Sequence, residues 1–193
     1  MLWIRHARIS LAFTLFFSLT IVGLTAVVLS TAAPCQTASP ENGMADLQWF
    51  SGHWSCDGKF AGSGKAISAD LSFESVLDGK WILFSHDDRP PFSYHALSEW
   101  GWDDKGKQFV STVQDSGGGI RVFYSRGFKD SKLVWDGKAL GNADATNERF
   151  EFVKNGADRF TVSYSFQKDG QWRAVDTSIC TRKGQSTLEP AKK

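Results

Sequence analysis

The sequence holds 193 residues, with 22 Lys and Arg against 21 Asp and Glu and a formal charge of +1. That length suits one domain behind a leader. The near-neutral balance, with no basic run longer than a pair, excludes a sequence-independent grip on nucleic acid, which needs clustered cations.

The chain opens with Arg5 and Arg8 and no acid in its first forty residues. An apolar run from Ile9 to Leu29 follows, then the small residues Ser30, Thr31, Ala32 and Ala33. A basic start, an apolar middle and a small-residue end describe a secretory signal peptide over residues 1–35. The competing reading is a retained membrane anchor, because about 20 apolar residues reach across a bilayer. A lipoprotein ranks third, because Pro34 directly before Cys35 fits a lipobox poorly. The expected location is therefore periplasmic or secreted, with membrane contact only through a leader that stays uncleaved. Without Arg5 and Arg8 the net charge becomes −1.

Residues 36–44 read as a linker, 45–183 as the folded domain and 184–193 as a disordered tail. Leu47 and Phe50 suggest one or two helical turns from Met44 to Phe50, stopped by Gly52. Beyond that point segments alternate in period two between Gly, Asp, Asn and Lys turns, the pattern of antiparallel strands. The first runs from His53 to Phe60, where His53 faces away from Trp54 and reads as a surface residue. In the second, Ile67 to Val76, Ile67, Ala69, Leu71 and Phe73 share one face, and Ser68, Asp70, Ser72 and Glu74 share the other. Asp78-Gly79 is a hairpin turn, since both residues tolerate positive φ. Strands follow at Trp81 to Asp87, Phe92 to Trp102, Gln108 to Asp115 and Ile120 to Arg126. A short one spans Lys132 to Trp135 and stops at Asp136-Gly137. Three more cover Arg149 to Val153, Phe160 to Phe166 and Trp172 to Thr181.

The expected fold is all-β, an antiparallel meander barrel of about ten strands, calycin- or lipocalin-like, with a short N-terminal helix. A meander of that size splits into two sheets or closes, and closure removes exposed edges. Closure also sets the first strand beside the last. Cys56 and Cys180 then come together, and an oxidising compartment permits a disulfide between them. The alternative is two buried free thiols.

Two short patterns resemble a known family. Leu47, Phe50, Gly52 and Trp54 form a short helix running into a Gly-x-Trp strand. Gly101-Trp102-Asp103, with Lys107 and Phe109, forms a Gly-aromatic-Asp turn into a strand that ends at Asp115. Both look like the small bacterial calycin-like β-barrels of unknown function related to nitrobindin, over nearly all of residues 45–182. The resemblance implies a barrel whose interior takes a small apolar molecule. Nitrobindin-like members bind heme through a histidine near the C-terminal end of the barrel. This chain has no histidine after His95, and Cys56 stands where the family's first-strand motif carries a further glycine. Heme is therefore not expected, and no other cofactor is predicted.

Two sets of candidate residues stand out. If Arg89-Pro90-Pro91 joins a symmetric hairpin, His86 lies opposite His95 and Asp88 opposite Ser93, with Cβ atoms of opposed residues about 4.5–5.5 Å apart. His86, Asp88 and His95 could then hold a divalent metal or act as an acid–base set. A slip of one residue would put the two histidines on opposite faces, and the bland alternative is a solvated rim. Ser85, His86 and Asp87 form no hydrolase triad, because neighbours on a strand face opposite ways, and no Gly-x-Ser-x-Gly elbow occurs. The many aromatic side chains favour a packed core over a lined cavity. If a pocket exists, Tyr94, Ser98, Trp100, Arg126 and Tyr164 combine rings with polar tips and are the expected ligand contacts. Three functional readings follow: an exported barrel binding a small apolar ligand, a metal-dependent enzyme using His86, Asp88 and His95, or an envelope structural protein with a filled core. The sequence names no ligand and no reaction.

Overall fold

A computed structural model describes residues 40–140 and 146–184. The expected leader, the linker up to residue 39 and the tail from residue 185 lie outside the described residues.

The domain begins with a helix, α1 (Pro40–Gln48), which starts inside the segment expected to be linker. Eleven strands follow: β1 (Gly52–Phe60), β2 (Ala66–Val76), β3 (Trp81–Asp88), β4 (His95–Asp103), β5 (Gln108–Asp115), β6 (Ile120–Ser125), β7 (Phe128–Lys129), β8 (Lys132–Ala139), β9 (Glu148–Lys154), β10 (Arg159–Lys168) and β11 (Gln171–Arg182). Each pairs antiparallel with its neighbour in sequence from β1 to β6 and from β8 to β11. β1 pairs with β11, and β6 with β8, so the meander closes into a barrel. The two-residue β7 adds to β8 alongside.

Closure sets Cys56 directly opposite Cys180, and the two form a disulfide with Cα atoms 4.0 Å apart. Both cysteines are buried on the inner face.

The interior is uneven along the barrel axis. At one end α1 and the turn that follows it act as a plug, sending Met44, Leu47 and Phe50 inward. The Phe50 ring lies 5.3–5.5 Å from the rings of Phe73, Trp100, Phe152 and Phe160. Each such side chain removed from water contributes about 1.5–3 kcal/mol. The Trp54 indole donates to the Phe50 carbonyl at 2.7 Å. Arg182 at the end of β11 donates to the carbonyls of Trp49 and Ser51 and pairs with Asp158, tying the plug to the barrel.

Two local expectations change. β8 does not stop at Asp136-Gly137 but runs on to Ala139. Gly137 is no turn: a Cβ there would collide with the Val122 carbonyl and Phe123 of β6, so the missing side chain lets the closing strands approach. The strand expected from Phe92 begins at His95 instead. The backbone N–H of Asp88 donates to the Tyr94 carbonyl at 2.9 Å, so five residues rather than four lie between the paired ends. Arg89 draws this loop back over the barrel, reaching Asp57, Asp70 and Ser55 with its guanidinium and the Ser68 carbonyl with its backbone N–H.

Candidate functional site

Period-two alternation sends every second side chain of each strand inward. Toward the plugged end those residues are bulky aromatics. Toward the opposite rim several are small: Ala69, Ala96, Ser98, Ser111 and Ser178. The space they leave is a cavity of about 680 Å³ inside the barrel. Ligand sites commonly span about 300–1,000 Å³. The reading of a filled core is thereby corrected, because only the plugged end is packed solid.

The cavity is apolar at depth and charged near the rim. Leu71, Phe84, Trp100, Phe123, Trp135, Phe150, Phe152 and Val162 form its body. Ser98 and Ser111 satisfy one another across β4 and β5 at 2.9 Å. Trp135 is 2% exposed, and its indole N–H finds no acceptor among the described residues.

Around the rim stands a collar of titratable groups. Arg121 at the start of β6 donates to Asp115 on β5, and its Nε lies 3.0 Å from Glu148 on β9. Burial opposes the charge on Arg121, yet Asp115 and Glu148 hold its affinity for the proton above the ordinary value. The Asp115 carboxyl is held low by the Arg121 hydrogen bond, against burial and with help from the Gly117 and Gly119 amides. Burial raises the Tyr164 phenol, and the Glu148 carboxylate raises it further. Burial also raises Tyr94. On the other side of the rim His86 Nε2 and Asp88 Oδ1 are 2.8 Å apart. Asp176 on β11 lines the same space, and burial pushes its carboxyl up to about 6, with His86 opposing and Asp88 adding.

Of the residues expected to contact a ligand, Tyr94, Ser98, Trp100 and Tyr164 line this cavity. Arg126 does not. It follows β6 at the plugged end, is exposed, and donates to the Lys107 carbonyl at 3.3 Å. The expected trio of His86, Asp88 and His95 is not assembled. The longer loop pairs Asp87, not His86, with His95. His95 therefore stands outside the barrel, its Nδ1 2.8 Å from Asp87, while His86 and Asp88 face inward. No group of three His, Cys, Asp or Glu suited to a metal occurs among the described residues.

Arg121, Asp115, Glu148 and Asp176 were missed, although strand parity carries the signal. Arg121 shares a face with Phe123, Glu148 with Phe150 and Phe152, and Asp176 with Ser178 and Cys180. Once the aromatics and cysteines point inward, so do these charges.

Fold and cavity together define the class: a closed antiparallel β-barrel with an internal cavity. No family model matches the chain, and no curated protein matches it. Among solved structures it is similar to the crystal structure of Rv2717c from M. tuberculosis, with 10% identity and a TM-score of 0.55 over 74% of this chain and 98% of that one. It is also similar to the redesigned β-barrel b11L5F_LGL, with 11% identity and a TM-score of 0.36 over 74% of this chain and 96% of that one. At 10% identity the likeness to Rv2717c is one of fold alone, and function has to be argued from the site.

Proposed function

We propose that this chain is an exported barrel that binds a small apolar molecule in its interior, without heme. The observation that carries the reading is the cavity of about 680 Å³, apolar in its body and polar at one rim. An apolar molecule entering it leaves water for a wall of Phe, Trp and Val, at about 25 cal/mol per Å² of apolar surface. Export rests on the basic, apolar and small-residue order of the first 35 residues, with periplasm or secretion as the destination and an uncleaved anchor as the alternative. A distant relationship to the nitrobindin-like barrels rests on the Gly52-x-Trp54 and Gly101-Trp102-Asp103 patterns together with the barrel fold. Their heme does not fit these residues. β11 carries no histidine, and His86, which lines the cavity, has its Nε2 engaged by Asp88.

The test is titration with N-phenyl-1-naphthylamine, a neutral apolar fluorophore that brightens out of water. The expected result is saturable enhancement. Ala96→Trp, which narrows the cavity at its wall, should weaken that binding about tenfold or more while circular dichroism stays unchanged, a loss of ~1.4 kcal/mol. A folded protein that fails to bind the dye, or an Ala96→Trp variant that binds it equally well, removes the interior as the site.

A further inference from the structure

We infer that the cavity takes a cationic amphiphile, an apolar or aromatic body bearing a protonated amine that sits in the rim collar. This rests on the reading of the cavity as a binding site and adds the charge class of what enters it.

The argument begins with Arg121. A lone arginine on a cavity rim would suggest a carboxylate ligand, such as a fatty acid. Here the guanidinium is already engaged: one end goes to Asp115, and Nε faces Glu148. One cation between two carboxylates leaves the group with a net charge of −1. Across the rim Asp88 adds another negative charge when its partner His86 is neutral, and Asp176 adds a third when ionised. No hydrogen bond or ion pair joins Asp176 to another side chain among the described residues. The charged side chains of the collar therefore sum to a net negative charge despite Arg121, and an incoming carboxylate meets repulsion from Asp88, Glu148 and Asp176 in a space where solvent screens poorly.

The walls suit a cation as well. Tyr94 and Tyr164 line the same rim, and aromatic faces attract ammonium groups. A second, independent feature lies deeper. The unpaired indole N–H of the buried Trp135 calls for an acceptor, which an oxygen or nitrogen on the ligand body would supply.

The experiment compares three probes with the same chain by isothermal titration calorimetry at pH 7.5: decylamine, decanol and decanoate. Decylamine is expected to bind about tenfold tighter than decanol, and decanoate weakest. Asp176→Asn should lower decylamine affinity several-fold more than it changes decanol affinity, and Asp88→Asn should do the same. Decanoate binding as tightly as decylamine overturns the charge assignment and leaves the cavity reading standing. Decylamine and decanol binding equally in the wild type overturns it too. Decylamine affinity unmoved by both substitutions shows that the collar does not hold the amine. If the folded protein binds none of the three, the cavity reading falls and this inference falls with it.

Discussion

Asp176 shows what single residues cost in this barrel. Burial raises its carboxyl to about 6, against an ordinary 3.8. The unfolded chain gives up that proton near its ordinary value, while the folded chain keeps it until about 6. Between those limits the folded state binds more protons, so stability falls as pH rises through the window and the loss is complete above it. The displacement corresponds to about 3 kcal/mol as an upper bound. Solvent screening at a half-buried site reduces that to about 1–2 kcal/mol. Asp176→Asn is therefore expected to raise the urea midpoint at pH 7.5 and to leave it nearly unchanged at pH 4. Equal gains at both pH values would mean that the ionised carboxylate is not the source. If the inferred amine site is right, the same substitution should also weaken amine binding, gaining stability at the expense of that site. Arg121 differs, because its two carboxylates compensate its burial.

At the scale of elements, two short stretches decide where side chains point. The β3–β4 connection holds five residues between paired ends, and that parity sends His86 inward and His95 outward. The sequence of the turn admits four or five. Arg89 selects five by reaching Asp57 on β1 and Asp70 on β2, partners distant in sequence and adjacent only in the barrel. The β6–β8 seam depends in turn on Gly137, which reads as half of an Asp-Gly turn until the seam is seen. Gly137→Val is expected to cost about 1–3 kcal/mol by overpacking. Amide exchange should then accelerate in β6 and β8 more than in β1 and β11. Gly62→Ala, in a turn where an added Cβ meets nothing within 4 Å, is the control and should stay within about 0.5 kcal/mol. Equal costs for the two would show that Gly137 has no special place at the seam.

For the whole molecule, the barrel closes twice: once by hydrogen bonds at the β6–β8 seam and once, at β1–β11, by hydrogen bonds and a covalent bond. Cys56 and Cys180 lie 124 residues apart in sequence. Cross-linking over such a span removes about 4–5 kcal/mol of unfolded-chain entropy in the loop-closure model. A Cys56→Ala, Cys180→Ala variant is thus expected to keep its circular dichroism at room temperature and to lose about 2–5 kcal/mol of stability in thermal unfolding. A wild type whose unfolding does not shift on adding reductant would count against the bridge as a stabilising element. The cavity is also a property of the whole. α1 fills one end, and nothing comparable among the described residues enters from the other. There the small side chains of β2, β4, β5 and β11 leave space that the aromatics of β6, β9 and β10 do not reach across.

Read alone, the chain determined that its domain is an antiparallel meander, because period-two alternation and turn residues are local properties. It left two outcomes for a meander of this size, splitting into two sheets or closing, and the β1–β11 pairing decided for closure. The inward set of β2, from Ile67 to Phe73, was legible from that alternation, and of the five residues chosen for rings with polar tips, Tyr94, Ser98, Trp100 and Tyr164 line the cavity. Tertiary structure alone decided the parity of the β3–β4 loop, the role of Gly137 and the assembly of Asp115, Arg121 and Glu148. Each of these depends on contacts between residues remote in the chain, and a one-residue change in register reverses the face on which a side chain lies.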